Sequence, residues 1–186
     1  HGKLGLRSCD TAELVLRDAK VGPEALLGGE EGKGIRVALT ALNDGRMSLG
    51  ASCTGLGQAA LDTMVAYTKD RVQFGKPVAG HQLVQALIAD TAVEVDCARL
   101  LTWRVADLKT RGEDYSLAAS KAKYYASEMS VRAANACVQA HGGYGYIDEY
   151  AAGKYLRDAR VTTLYEGTSQ IQQLIIGRAL TGISAF

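Results

Sequence analysis

The chain has 186 residues, of which 47% are hydrophobic and 22% charged, and its formal net charge is +1. This composition is typical of a globular protein of one domain, with or without a fragment of a second. A nearly neutral chain lacks the positive field that binding to a phosphate backbone requires, so nucleic acid is not an expected partner. No apolar run approaches the roughly 20 residues of a membrane span, and no signal peptide is expected.

Four cysteines lie far apart and form no C-x-x-C pair: Cys9, Cys53, Cys97 and Cys137. This spacing favours reduced, helix-packed thiols over a disulfide framework or a zinc site, and the three histidines form no cluster of metal ligands. We therefore expect a metal-free protein of the cytoplasm, or of the mitochondrial matrix in a eukaryote. Because the sequence starts at His1 and not at methionine, we expect a fragment or a processed piece.

The first 34 residues differ in pattern from the rest of the chain. Apolar residues alternate at Leu4 and Leu6 and again at Leu14 and Leu16, which predicts short strands. A tail of two or three strands is not stable alone in water. The glycine-rich stretch 28–34 then predicts a linker.

From Ile35 onward the apolar residues recur every three or four positions, as on one face of a helix. The chain contains only two prolines, and its glycines lie between the periodic segments, where they can end helices. The pattern predicts three long helices at about 35–70, 84–111 and 116–140, and shorter ones at 149–160 and 169–180. The expected fold class is all-α: an antiparallel four-helix bundle over residues 35–186, with a short β tail before it.

Several familiar site patterns are absent from the sequence. No glutamate has a histidine three residues later, as a di-iron bundle requires. The glycines of 28–34 do not have the spacing of a phosphate loop, and those of 142–145 lack the third glycine of a dinucleotide fingerprint. No G-x-S-x-G elbow occurs, so hydrolase chemistry is not indicated.

The segment 165–172 remains as the candidate site. Thr168 or Ser169 can cap the last helix, whose free N–H groups then favour an anion or polar ligand group. Glu166 lies just before this cap, between Tyr165 and a glycine. Two interpretations stay open from the spacing alone: a carboxylate that stabilises a helix N-terminus, or a general base held beside an aromatic ring.

Three segments closely resemble signature motifs of the acyl-CoA dehydrogenase family, in the family's order and spacing. They are DRVQFGKP at 70–77 with His81 and Gln82 after it, QAHGGYGY at 139–146, and LYEGTSQIQ at 164–172 with YLRDARV before it. Residues 3–33 resemble the last strands of the family's middle β-domain. The resemblance therefore implies that 1–34 is a remnant of that domain with its linker, and that 35–186 is the C-terminal helical bundle domain.

The resemblance implies a reaction: FAD-dependent α,β-dehydrogenation of acyl-CoA thioesters to trans-2-enoyl-CoA. Glu166 would be the base that removes the α-proton, and Gly167 would leave room for the substrate. Some relatives carry the base on the first bundle helix, just before an arginine; here that position is Gly45, which cannot act as a base. Asn43, Arg46 and Arg178 resemble residues on the substrate and CoA side, although an ordinary polar surface is the alternative.

The resemblance also implies how FAD would be held. Arg71 would meet the pyrophosphate, as suits a bidentate guanidinium. The neighbouring subunit of a dimer would supply this arginine together with Gln73, Phe74, Gln82, Gln139, Gly142 and Gly143. Thr168 and Gln170 would contact FAD from the subunit that owns the base. The alternatives are that Phe74 belongs to the core and that Arg71 forms a surface pair with Asp70.

Partners follow from the same resemblance. Acyl-CoA would be the substrate, with short or medium straight chains favoured, and an electron-transfer flavoprotein would accept the electrons. The chain would assemble as a dimer or a dimer of dimers. Two alternatives stay open: a non-catalytic bundle that serves binding or oligomerisation, and a relative of the acyl-CoA oxidases.

Overall fold

A computed structural model of the chain describes residues 2–185, which form an all-α antiparallel bundle. All the predicted helices are present, with their ends displaced by a few residues. They are α1 (Gly34–Asp70), α2 (Gln82–Thr110), α3 (Ser116–His141), α4 (Ala151–Ala159) and α5 (Ser169–Thr181).

The apolar stripe of α1 packs into the bundle over most of its length. Leu49, Cys53, Ala60 and Met64 are buried along it, at the spacing that one helix face requires. The first turns of α1 carry the same pattern but remain uncovered, since Leu39 is 56% exposed. The stripe therefore predicts the helix correctly, and its buried part begins only near Leu49.

Helix α3 lies at the centre of the bundle and contacts the four other helices. Thirteen of its 26 residues are buried, so its small side chains set how closely its neighbours approach. Most of them are alanine or serine: Ala119, Ser120, Ala122, Ala126, Ser127, Ser130, Ala133, Ala134 and Ala140. Cys53 and Cys137 lie in this core, whereas Cys97 is exposed and Cys9 is exposed outside any helix.

The strands expected at the start of the chain are not formed within residues 2–33. This segment is irregular apart from one 3-10 turn at Pro23–Ala25, and Leu14 is 85% exposed. A strand needs a neighbouring strand to satisfy its backbone groups, and residues 10–21 are exposed throughout. The segment is anchored only near its start, where the Leu6 N–H donates to Asp158 at 2.7 Å.

The one strand pair of the described residues lies in the connection between α1 and α2. β1 (Val72–Gln73) pairs antiparallel with β2 (Lys76–Pro77), with Val72 opposite Pro77. The two-residue loop between them has positive φ at both positions, +53° at Phe74 and +78° at Gly75. This is the geometry of a tight hairpin turn, and it leaves the Phe74 side chain 93% exposed.

An aromatic cluster fixes the C-terminal end of α3. The ring of His141 stacks on Tyr67 of α1 at 4.0 Å between centroids, and Tyr150 meets both rings edge-on. The His141 Nδ1–H donates to the Cys137 carbonyl at 2.7 Å, which leaves Nε2 as a buried acceptor without a partner among the described residues. Burial lowers the pKa of His141. The chain then turns at Gly142, with φ +60°, into a short 3-10 helix that ends at Tyr146.

We expect the stability of the fold to depend on the protonation of His141. Because burial lowers its pKa, the unfolded chain binds a proton near pH 6.5 that the folded chain does not bind. The free energy of unfolding should therefore be constant above about pH 7 and fall as the pH decreases below about 6.5. Urea unfolding of the wild type and of His141→Gln from pH 5 to pH 8 checks this. Equal pH dependence in the two proteins would contradict it.

A second stability prediction concerns Gly145, which lies against the backbone of α3. A Cβ at this position would lie 2.5 Å from the Val138 carbonyl oxygen and 2.9 Å from the Val138 Cα. Gly145→Ala should therefore lower the free energy of unfolding by about 1–3 kcal/mol. Gly143→Ala is the matched control, since nothing lies within 4 Å of a Cβ there. Similar losses in both variants, measured by urea unfolding, would refute the close-packing argument.

Candidate active site

Glu166 lies in the loop that enters α5, in an unusual backbone conformation. Its φ is +58°, and the following Gly167 has φ +89°. A left-handed conformation is uncommon for a residue with a side chain, and such residues occur often at functional sites. The loop therefore directs the Glu166 side chain in a way that an ordinary extended or helical backbone would not.

The Glu166 carboxylate faces Gly45 of α1. A Cβ at position 45 would lie 2.4 Å from Glu166 Oε2, so the absence of a side chain there makes room for the carboxylate. Oε2 is buried and accepts no hydrogen bond from any described residue. No described donor therefore competes for the lone pairs of this oxygen. The neighbouring Asp44 is engaged elsewhere, since its carboxylate accepts hydrogen bonds from Lys109 and Tyr115.

Two consecutive carbonyls of this loop are held by side chains from three helices. The Glu166 carbonyl accepts from Arg46 Nε of α1 at 3.5 Å and from Gln172 Nε2 of α5 at 3.1 Å. The Gly167 carbonyl accepts from Lys123 Nζ of α3 at 2.7 Å and, at 3.3 Å, also from Gln172 Nε2. Arg46 also donates to Asn43 at 3.0 Å. The structure thus gathers Asn43, Arg46, Glu166 and Gly167 in one place, as the motifs suggest.

Lys123 and Gln172 do not belong to the residues singled out from the sequence. Both are 0% exposed. Lys123 lies on the face of α3 that carries Ala119, Ala126 and Ser127, and a lysine amid such small buried residues is the signal that could have revealed it.

The start of α5 places two further candidates beside Glu166. Thr168 caps the helix, because its Oγ1 accepts from the Ile171 N–H at 3.3 Å, and Gln170 is exposed in the first turn. Ser169 instead donates to Glu128. No amide of α5 in the described chain donates to the Glu166 carboxylate, so the geometry does not support a capping role for it. Arg178 is exposed in the last turn, about 14 Å along the helix from Ser169.

A second group of candidates lines a groove between the α1–α2 connection and the end of α3. The groove has a volume of ≈ 660 Å³. Six of the residues expected to contact a cofactor line it: Arg71, Gln73, Phe74, Gln139, Gly142 and Gly143. Gln82 is the exposed first residue of α2 and does not line the groove, although its neighbour His81 does.

The groove presents one unpaired cation and an open stretch of backbone. The Arg71 guanidinium lies 5.2 Å from the centroid of the Tyr144 ring, and no carboxylate of the described residues forms an ion pair with it. The alternative of a pair with Asp70 is therefore wrong. The alternative of Phe74 as a core residue is also wrong, because this ring is exposed. Nothing lies within 4 Å of a Cβ built at Gly142 or Gly143.

The two groups lie far apart along α1, one beside its first half and the other at its C-terminal end. Gly45 and Asp70 are separated by 25 residues of one helix, which corresponds to about 38 Å. One chain therefore does not bring the Glu166 loop and the Arg71 groove together. Within residues 2–185 no cluster of side chains could hold a metal ion, and none of the helices described is long and apolar enough to cross a membrane.

Known proteins resemble this chain over nearly its whole length. It is 46% identical over 180 residues to an acyl-CoA dehydrogenase of Bacillus subtilis and 42% identical over 178 residues to the caffeyl-CoA reductase–Etf complex subunit CarC of Acetobacterium woodii. The matches cover 97% and 96% of this chain and 47% of each relative. The structure of butyryl-CoA dehydrogenase from Megasphaera elsdenii superposes with a TM-score of 0.94 at 40% identity, over 97% of this chain and 47% of that one.

The chain spans about half the length of the curated relatives it matches. A family model described as the C-terminal domain of acyl-CoA dehydrogenase matches residues 32–181, which include both groups of candidate residues. With this match over most of the sequence, and with the helical bundle that the structure shows, the chain belongs to the acyl-CoA dehydrogenase family.

Proposed function

We propose that this chain supplies the proton-abstracting base and part of the cofactor site of a FAD-dependent acyl-CoA dehydrogenase. The observation that carries the proposal is the Glu166 carboxylate, with its buried Oε2 opposite Gly45 and without a donor among the described residues. Membership of the family supports it. The reaction is α,β-dehydrogenation of an acyl-CoA thioester to the trans-2-enoyl-CoA.

Glu166 takes the α-proton of the substrate on its carboxylate. That proton is weakly acidic, so the developing negative charge on the thioester oxygen needs a donor. The Glu166 N–H has no acceptor among the described residues, and we assign it to this oxygen. A Cβ at Gly167 would lie 2.7 Å from Gln172 Nε2, so this glycine lets the Gln172 side chain reach the loop. Asn43 and Arg46 line the space beside the loop from α1. We place Arg178, the exposed cation at the end of α5, on the side of the anionic CoA.

FAD, when bound, supplies the acceptor for the β-hydride, and the groove residues fit such a group. Arg71 offers a guanidinium without an ion pair in the described chain for a pyrophosphate, and Gly142 and Gly143 expose backbone to open space. His141 also lines the groove, and its buried Nε2 is an acceptor without a partner among the described residues. We assign the adenosine half to four residues nearby, namely Gln73, Phe74, Gln82 and Gln139.

The cofactor site requires a second copy of the chain. Thr168 and Gln170 follow Glu166 at the start of α5, and the Glu166 carboxylate faces Gly45, which is about 38 Å along α1 from Asp70 beside the Arg71 groove. We therefore propose a homodimer, or a dimer of dimers, in which the groove of one subunit meets the Glu166 loop of its partner. For the electron acceptor we propose an electron-transfer flavoprotein. In support, one relative is named as a subunit of a reductase–Etf complex, and one similar structure is named for an electron transferring flavoprotein of Acidaminococcus fermentans.

The base assignment predicts the effect of Glu166→Gln, which keeps the shape of the side chain and removes its proton affinity. We expect turnover to fall by about 10²–10⁴-fold, the usual contribution of a general base, with flavin content unchanged. The measurement is the anaerobic bleaching of the flavin absorbance by butyryl-CoA. It is made on a form of the protein whose wild type shows this bleaching. Normal turnover in the variant would rule out Glu166 as the base.

Gly45→Ala tests the same geometry without changing the base. The added methyl group would displace the Glu166 carboxylate, because Oε2 lies within 2.4 Å of its position, so turnover should fall. Gly55→Ala is the matched control in the same helix, since nothing lies within 4 Å of a Cβ there. Equal turnover of the two variants would contradict the placement of the carboxylate against α1.

The assembly of the cofactor site can be tested on the chain as it stands. After incubation with FAD, gel filtration should show flavin absorbance in a protein peak of dimer size or larger. Arg71→Ala should reduce the flavin in that peak, because it removes the only described cation that we assign to the pyrophosphate. A colourless wild-type peak would contradict FAD binding by this chain alone. No bleaching of the flavin on addition of acyl-CoA would favour a non-catalytic binding or oligomerisation module. Peroxide production in the active protein would favour an oxidase.

A further inference from the structure

Lys123 is the largest fully buried side chain of the described residues, and no carboxylate among them pairs with it. It lies at the middle of the bundle, in α3, with 0% exposure, and none of the ion pairs of residues 2–185 includes it. Burying an ammonium group without a counter-ion in contact carries a large desolvation penalty. An apolar side chain of similar length would pack there without that cost. The charge therefore points to a role other than packing.

The ammonium group makes one described hydrogen bond, and this bond goes to the loop that carries the base. Lys123 Nζ donates to the Gly167 carbonyl at 2.7 Å, which is shorter than the contacts of Arg46 and Gln172 with the same loop. Gln172 is a neutral donor, and charge-assisted bonds are roughly twice as strong as neutral ones. Arg46 is charged as well, but its contact of 3.5 Å is long for a hydrogen bond. Lys123 is therefore the strongest of the three anchors.

The loop needs such an anchor because of its backbone conformation. Glu166 and Gly167 both have positive φ, and for Glu166, which carries a side chain, this conformation is strained relative to a relaxed backbone. A conformation of this kind persists only where surrounding groups hold it. Since a peptide group is planar, a donor that fixes the Gly167 carbonyl also fixes the peptide plane that follows the base by one residue.

Lys123 also interacts electrostatically with residues of the candidate site, among them Glu166 and Arg46. Burial lowers the pKa of Lys123, while Cys53, Glu128 and Glu166 act in the opposite direction and Arg46 acts with burial. Lys123 thus lies in the electrostatic environment of Glu166 without a hydrogen bond to its carboxylate. Its contact is with the backbone of the loop.

We propose that Lys123 is a positioning residue for proton abstraction: its buried ammonium holds the Gly167 carbonyl and so keeps the Glu166 carboxylate directed at the space beside Gly45. This inference rests on the proposed role of Glu166 as the base. Lys123 itself touches neither the substrate nor the reacting atoms. It acts through the loop alone.

The test variant is Lys123→Met, which keeps the length of the side chain and removes the charge and the donor. We expect the fold to be retained, with a stability equal to or greater than that of the wild type, because an unpaired buried charge is removed. The turnover number should nevertheless fall by on the order of 10²-fold, as for a small misplacement of a catalytic group, with little change in KM. If Lys123 had only a structural role, Lys123→Met would lower the free energy of unfolding and leave the turnover number of the folded protein unchanged.

Two controls make the experiment specific. Lys121→Met places the same substitution two residues earlier in α3, about 200° around the helix, where the side chain lines a separate cavity beside Asp114. It should leave turnover unchanged. Lys123→Gln restores an amide donor without the charge and should recover part of the turnover that Lys123→Met loses.

Two readouts separate this inference from the proposed function. Amide hydrogen exchange of residues 164–168, measured by mass spectrometry on the chain, should be faster in Lys123→Met than in the wild type and in Lys121→Met. Exchange of the substrate α-proton with D₂O reports the base step in the active protein and should slow in Lys123→Met. If the wild type exchanges no α-proton, the role of Glu166 fails, and the loop measurement still decides whether Lys123 holds the loop. Unchanged loop exchange, or full turnover in Lys123→Met, would overturn the inference.

Discussion

The small side chains of α3 are the constraint on which the rest of the structure depends. This helix contacts all four others, and its buried face consists mostly of alanine and serine. Helices approach one another closely only where such residues leave room, so the position of each neighbour is fixed by contact with the α3 backbone and short side chains. Lys123 is one of four exceptions on this face, with Met129, Cys137 and His141, and it is the only lysine among them. Its long side chain reaches the loop before α5 from α3, and in this way the central packing and the candidate base are connected.

The same two helices also set the distance between the two candidate sites. The first half of α1 and Lys123 of α3 meet the Glu166 loop, while the far ends of α1 and α3 carry Arg71 and His141 at the groove. Two long helices packed along a shared face do not shorten or bend without cost, so the separation of about 38 Å is a fixed dimension of the domain. A ligand that needs both sets of residues must therefore draw them from two chains. The proposed dimer follows from the length of α1 and not from any feature of the surface.

Local patterns predict a large part of this structure, and the exceptions depend on distant contacts. The helices follow from the spacing of apolar residues, and Thr168 was one of two caps that the sequence allowed. The expected strands near Leu4 and Leu14 are wrong because pairing needs a neighbour that the described chain does not offer there. The contact between Gly45 and Glu166 joins residues 121 positions apart, which no local pattern reveals. The role of Lys123 was not predicted from the sequence, because a lysine is normally exposed. Only its place among small residues distinguishes it from Lys121.

The adjacency of Gly45 and Glu166 also explains why the loop needs anchoring. The resemblance offers two positions for the base, and both open onto one space, since a Cβ at 45 would lie 2.4 Å from the Glu166 carboxylate. The space has room for one of the two side chains. A carboxylate at 45 would be held in place by the hydrogen bonds of α1 itself. A carboxylate at 166 stands on a loop with a left-handed backbone, so its direction depends on donors from other helices. Arg46, Lys123 and Gln172 provide these donors, and the hydrogen bond of Lys123 is the one by which a buried charge of α3 meets the loop.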